Sequence, residues 1–301
     1  MVRLFESLRA IFYAPFYLAL ELDAYGKRGL EVEFGRPDSP DDAAASLFGS
    51  GADVIWGGPM RMMQYQQRHG DGTVVAFAEA VTRDPFYVVG REPRPNFRFA
   101  DLMEARFARV SEVPTPWLCL QDDIRRAGFD PAVLERAPDR SMAENADALR
   151  EGRVDAIQVF EPFVEDLLHE GAGHVWYAAA RRGPTSYTTL YTSRRFAEAN
   201  PDALSALAGG VMEALDWLHG HDADALADRL QGYFPDLVPA RLAGALARYK
   251  AGGVWGRNPV LPLEGFVRLK GALISGGFIT RDIPFEACVD NRYAERARDS
   301  R

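Results

Sequence analysis

The chain's strongest constraint is an alternation of short apolar strands with helix-length segments. It starts at the second residue and runs through the first two-thirds of the sequence. Residues 2–6 read as a strand, and residues 13–27 as a helix with Phe16, Leu20 and Ala24 spaced four apart. Gly26 and Gly29 stop that helix. Residues 30–34 alternate apolar and acidic side chains, as a half-buried strand does. Asp38-Ser39-Pro40 then opens a helix with Ser39 as N-cap and Pro40 in the first turn; it runs to about Phe48 and ends at Gly49-Ser50-Gly51. Residues 52–56 form the next strand, Gly57-Gly58-Pro59 breaks it, residues 60–68 form a helix and residues 73–80 a fourth strand. This order predicts a parallel sheet covered by helices.

The middle of the chain repeats the pattern. Strands are expected at 86–89, 106–111 and 154–160, and helices at 99–105, 142–151 and 163–169. Another helix begins at Val113-Pro114-Thr115-Pro116, with Thr115 as N-cap and Pro116 at N1, and ends at Gly128. The last third has one strand, 187–192, followed by amphipathic helices at 201–219, 223–230, 239–250 and 263–275. Arg83-Asp84-Pro85 and Gly183-Pro184-Thr185-Ser186 are the seams where the chain would cross to a second α/β lobe and return. Residues 1–84 with 185–301 then make one lobe and residues 85–184 the other. A cleft between lobes is where small ligands bind.

Composition limits the function classes. Of 301 residues, 35 are Lys or Arg and 43 Asp or Glu, for a net charge of −8, which disfavours a nucleic-acid partner. Cys119 and Cys288 alone provide neither a disulfide framework nor a zinc site. No apolar run reaches the roughly 18 residues of a membrane span. Residues 11–20 have some signal-sequence character, but Glu6, Glu21 and Asp23 flank them and no small-x-small cleavage site follows. As written, the sequence reads as cytoplasmic; a removed leader or a misassigned start would make it periplasmic.

No nucleophile elbow, phosphate loop, zinc-hydrolase pair or EF-hand occurs, and no Gly-x-Gly-x-x-Gly follows the first strand. Neither a cofactor nor a metal is expected. His219 and His221 read as loop residues at a helix end, His69 as a cap on free helix carbonyls, and Cys119 as a small core residue. The informative positions are the carboxyl ends of the strands, where helix N-termini present free N–H groups. They nominate Arg9, Phe12, Tyr13, Gly57, Gly58, Pro59, Arg61, Thr115, Phe160, Glu161 and Tyr187 as ligand-binding. Phe12, Tyr13, Phe160 and Tyr187 would pack on a flat molecule. Gly57, Gly58 and Thr115 would offer backbone or hydroxyl contacts. Arg9 or Arg61 would hold an anion, and Glu161 an N–H donor.

Several segments together resemble a known family. They are Ala14-Pro15-Phe16-Tyr17-Leu18-Ala19, Tyr25-Gly26-Lys27-Arg28-Gly29-Leu30-Glu31-Val32 and Leu47-Phe48-Gly49-Ser50-Gly51-Ala52-Asp53-Val54. Leu149-Arg150-Glu151-Gly152-Arg153-Val154-Asp155-Ala156, Phe160-Glu161-Pro162 and residues 196–201 continue the series. In order and spacing they resemble the NMT1/THI5-like and SsuA-like substrate-binding proteins. The resemblance implies a two-lobed type II periplasmic-binding fold closing on a small organic molecule, with an ABC permease as partner. The thiamine pyrimidine synthases of that family consume an active-site histidine and bound pyridoxal phosphate. Here Gly57 stands where their pyridoxal-binding lysine aligns and Arg61 where their histidine does, and no cysteine cluster precedes Tyr191. That chemistry is therefore not expected. The leading reading is a binding protein for a small, planar, anionic molecule. The alternatives are a decarboxylase, desulfinase or lyase on the same scaffold, and an intracellular sensor.

Overall fold

The computed structural model describes residues 1–36, 43–49 and 51–300. In chain order the strands are β1 (Val2–Glu6), β2 (Val32–Gly35), β3 (Val54–Gly57), β4 (Val74–Val81), β5 (Tyr87–Gly90), β6 (Phe107–Ala108), β7 (Ala156–Val159), β8 (His174–Ala178) and β9 (Thr188–Ser193). The helices are α1 (Ala14–Glu21), α2 (Ala43–Ser46), α3 (Pro59–His69), α4 (Phe99–Met103), α5 (Pro114–Arg126), α6 (Met142–Arg150), α7 (Phe163–His169) and α8 (Arg194–Ala199). After them come α9 (Pro201–Gly220), α10 (Ala223–Leu230), α11 (Pro239–Ala251), α12 (Leu263–Ser275), α13 (Phe285–Cys288) and α14 (Arg292–Asp299). The expected cap at Asp38-Ser39-Pro40 and the stop at Ser50 lie outside the described residues.

The strands form two sheets, a five-stranded one in the order β2-β1-β3-β9-β4 and a four-stranded one in the order β6-β7-β5-β8. The expected strand–helix alternation is present, but neither sheet is purely parallel. In the first, β1, β2 and β3 run parallel, and β9 inserts antiparallel between β3 and β4. In the second, β6 and β7 run parallel and β5 lies antiparallel between β7 and β8. The reversed strand is in each case the first one after a crossover. The chain enters each sheet from the end where the previous strand left, with no α-helix to carry it back and only a 3-10 turn, Ala179–Arg182, on the return, so it runs the other way.

Packing explains why these elements hold. Trp56 of β3 is fully buried between Phe16 and Phe34, stacked on each at 5.0 Å. Burying an aromatic of this size contributes about 2 kcal/mol or more. α1 and α9 pack together on that side, and α3 and α12 bury Met62, Met63, Phe266 and Leu269 on the opposite face. α12 also rests on α5, so it touches both halves of the molecule.

Some expected boundaries move. The first helix ends at Glu21; a 3-10 turn over Gly26–Arg28 follows, closed by left-handed Gly29 at φ 73°. α5 begins at Pro114 with Val113 as its cap, so Thr115 lies inside the first turn and is buried. Proline fits this first turn because it has no N–H to leave unpaired. Strand 106–111 shrinks to β6, and β8 had not been expected. His69 stacks on Tyr65 at 4.2 Å, while His219 and His221 bond the carbonyls of Gly256 and Trp217, each at 2.8 Å.

The two passages between sheets are tied together. Arg182, its side chain buried before the return strand, bonds Asp84 of the outward passage at 2.6 Å and Asp123 of α5 at 2.9 Å. Tyr177 donates to the same Asp123 at 2.9 Å. Among the described residues no helix is long and apolar enough to cross a membrane.

Candidate functional site

A cavity of about 170 Å³ lies between the two sheets. One wall comes from the ends of β1, β3 and β9 and the start of α3: Ser7, Tyr13, Gly58, Arg61, Tyr187 and Tyr191. The facing wall comes from the second half: Phe86, Val113, Pro114, Thr115, Met142 and Phe160. Phe12, on the 3-10 turn Ile11–Tyr13, forms the corner. Its ring meets Phe160 edge-on at 5.6 Å and Tyr187 at 6.1 Å, and Phe86 meets Phe160 at 5.1 Å. These T-shaped contacts fix the rings as rigid walls.

The polar groups are concentrated on the first wall. Ser7 and Tyr13 share a hydroxyl–hydroxyl bond of 2.9 Å. The hydroxyls of Tyr187 and Tyr191 are buried and have no hydrogen-bond partner. Burial holds both phenols far above their usual range, so they are neutral donors. An unpaired buried hydroxyl costs on the order of 1–3 kcal/mol, and a ligand acceptor would recover it. The first turns of α3 and α5 reach the cavity with their positive dipole ends, although Pro59, Pro114 and Pro116 have no N–H and the Arg61 N–H donates to the Gly58 carbonyl at 3.2 Å, which leaves Met60 and Thr115 to carry the N–H groups there. Arg61 stands at the rim, bonded to Gln64 and lying 6.0 Å over the Phe278 ring. Glu112, exposed at the mouth, accepts from the Met142 N–H at 3.0 Å.

Of the eleven nominated residues the cavity brings together seven: Phe12, Tyr13, Gly58, Arg61, Thr115, Phe160 and Tyr187. Gly57 and Pro59 are not in its lining. Gly57 instead permits a close approach: a Cβ there would come within 3.0 Å of Ser7 Oγ and 3.4 Å of the Tyr191 ring. Pro59 opens α3 at its first position.

Arg9 and Glu161 point elsewhere, because each is held by a partner of opposite charge. Arg9 bonds Glu6 at 2.9 Å and lies over the rings of Tyr17 and Tyr233. Glu161, fully buried, accepts from Arg248 at 2.7 Å and from the Glu165 N–H at 2.8 Å. Burial raises its carboxyl's pKa, and Arg248 opposes that. Both residues line a second hollow of about 200 Å³ on the other side of Phe160. Phe86, Met142 and Tyr191 were not nominated. Tyr191 could have been found from period two, since it follows Tyr187 by four residues along a strand and so faces the same way. Cys119 and Cys288 are both buried, both outside the cavity lining, and burial pushes both thiols up.

The fold has known counterparts. YtlA of Bacillus subtilis (strain 168), a candidate binding protein, is 23% identical over 297 residues, covering 98% of this chain and 89% of YtlA. The alkanesulfonate-binding protein SsuA of Xanthomonas axonopodis pv. citri, solved with bound MOPS, superposes with a TM-score of 0.71 at 16% identity. That match covers 96% of this chain and 98% of SsuA. The desulfurization enzyme DszB superposes with a TM-score of 0.68 at 13% identity, covering 100% of this chain and 99% of DszB. The fold is the type II periplasmic-binding fold expected from the sequence. The sequence model of the NMT1-like family matches residues 42–230, and this chain belongs to that family.

Proposed function

We propose that this chain is the substrate-binding protein of an ABC-type importer. It would hold a small, flat, anionic organic molecule in the cavity between a lobe of residues 1–84 with 185–301 and a lobe of residues 85–184. The observation that carries this reading is the pair of unpartnered tyrosine hydroxyls, Tyr187 and Tyr191, set in a cavity lined mostly by aromatic and aliphatic side chains. A hydrogen-bond acceptor on the ligand satisfies them, and the ring walls suit its flat body. The first turns of α3 and α5, with Arg61 at the rim, favour negative charge on that acceptor. A cavity of this volume is small beside the about 300–1,000 Å³ of drug-sized sites, and so suits a compact ligand. The bound MOPS of SsuA, a sulfonate, and the naming of YtlA as a binding protein point the same way. In this role the chain would meet its permease outside the cytoplasmic membrane, the second of the two compartments left open by the sequence.

An enzyme on the same scaffold is favoured by the likeness to DszB. Against it, among the described residues the cavity lining includes no histidine and no cysteine, and its serine hydroxyl, Ser7, is bonded to a neutral tyrosine rather than to a base. The test is native mass spectrometry of the purified chain, then extraction of what co-purifies, with benzenesulfonate titrated into the stripped protein. A stoichiometric anion, or benzenesulfonate binding that Tyr187→Phe with Tyr191→Phe weakens, supports the reading. Chemical conversion of the bound molecule, or binding indifferent to both hydroxyls, overturns it.

A further inference from the structure

Behind the polar wall lies an ionisable group that the cavity lining does not include. Glu79 of β4 is fully buried. A bulge between Ala76 and Ala78 changes the phase of β4 and sets Glu79 opposite Thr189, on the sheet face where Ala76 stands opposite Tyr191. Thr189 in turn lies between Tyr187 and Tyr191 along β9, so Glu79 is one cross-strand step behind the two tyrosines. Ser186 Oγ donates to Glu79 Oε1 at 2.5 Å, while Oε2 has no partner. Thr189 Oγ1 beside it is also unpaired.

The elements packed on this face carry Arg61 on α3, Glu264, Arg268 and Lys270 on α12, Glu286 on α13, and Arg257 in the segment whose Pro259 carbonyl accepts from the Glu79 N–H. Burial raises the Glu79 carboxyl and Ser186 lowers it, with the result pushed up to about 8. A carboxylic acid in such a place keeps its proton at neutral pH.

We propose that Glu79 is neutral in the ligand-binding form and that its ionisation weakens the hold on an anion in the cavity, so that ligand binding is coupled to a proton held behind the wall. This rests on the anionic-ligand reading above. A carboxylate on the order of 10 Å from a bound anion, at an effective dielectric near 20, lowers affinity about tenfold. By linkage, the bound anion strengthens Glu79's hold on its proton by the same factor.

The folded chain keeps a proton that the unfolded chain gives up near pH 4.3. Glu79 therefore contributes stability that is full below about pH 4 and lost as pH rises to about 8. Glu79→Gln keeps an uncharged acceptor for Ser186 and cannot titrate. Melting of the unliganded proteins from pH 5 to 9 is expected to show the variant gaining steadily on the wild type up to about pH 8. Benzenesulfonate calorimetry is expected to show the wild type weakening about tenfold between pH 6.5 and 9, with proton uptake on binding near pH 8, and the variant showing neither. Ser186→Ala, which removes only the donor, should move the wild-type trend to higher pH. Parallel melting curves, or an equal pH trend of binding in both proteins, overturns the coupling. Absence of benzenesulfonate binding at every pH overturns the anion reading and the coupling with it; the melting curves then still decide whether Glu79 holds its proton.

Discussion

The two walls of the cavity come from similar α/β halves, yet they differ in chemistry. The wall built on the five-stranded sheet carries Ser7, Tyr13, Tyr187 and Tyr191, with Arg61 at its rim, and Glu79 stands behind it. The wall built on the four-stranded sheet is Phe86, Val113, Pro114, Met142 and Phe160, with Thr115 its one buried hydroxyl residue. Strand ends account for the first set, since a sheet edge exposes side chains and backbone groups in fixed directions. A helix start and a crossover account for the second. The contrast teaches a division of labour. On the proposed function, one half would orient the ligand by polar groups that gain only when it is present, and the other would cover it with apolar surface and remove water.

That division requires the walls to be held in register, which is the work of Arg182. Its guanidinium spans Asp84 and Asp123, all three buried, and so joins the outward passage, the return passage and α5. Arg182→Met leaves two buried carboxylates without their cation, an expected loss of about 3–5 kcal/mol. At roughly 2–4 °C per kcal/mol for a large domain, the melting midpoint should fall by about 10 °C or more. Survival of the midpoint would mean that the halves are held by α12 on α5 rather than by the crossovers.

Phe160→Ala tests the apolar wall. The ring packs on Phe12, Phe86 and Phe163, and truncation is expected to cost about 3 kcal/mol of stability along with much of the affinity. On the polar wall, Tyr187→Phe and Tyr191→Phe should separate the two quantities. Each removes an unpaired buried hydroxyl, so stability holds or rises slightly, while affinity falls roughly tenfold per hydroxyl that the ligand engages. Arg9→Ala is the reverse case. It strips Glu6 of its cation, an expected cost of about 1–3 kcal/mol, and leaves cavity affinity unchanged. Urea titration with and without benzenesulfonate measures all four variants on one scale.

These contrasts also mark what the sequence could say. Strand ends were legible from apolar runs closed by glycine and proline, and they located Phe12, Gly58, Arg61 and Thr115. The direction of a charged side chain was not legible. Arg9 and Glu161 sit at strand ends like the others, but Glu6, three residues back, and Arg248, 87 residues on, draw them away from the cavity. Arg248 belongs to α11 in the helical last third, and only tertiary packing brings it to Glu161. The reversed strands escaped for a related reason, since apolar patterning is the same whichever way a strand runs. Glu79 lay inside an apolar run, and only the bulge decides which face it takes.

The smallest effect bears most directly on the division of labour. Glu112 places a carboxylate at the mouth, on the otherwise apolar wall, and caps α6 through the Met142 N–H. Toward an anionic ligand that charge is repulsive, weakened by solvent because the side chain is exposed. Glu112→Gln retains an acceptor for the α6 N-terminus and removes the charge. Its stability cost should stay within about 0.5 kcal/mol, since a neutral cap replaces a charged one at an exposed helix end. Affinity for benzenesulfonate should rise by about two- to threefold at low salt, and the gain should disappear in high salt as screening removes the repulsion. A fall in affinity instead would mean that Glu112 binds a donor on the ligand, and the covering wall would then also recognise it.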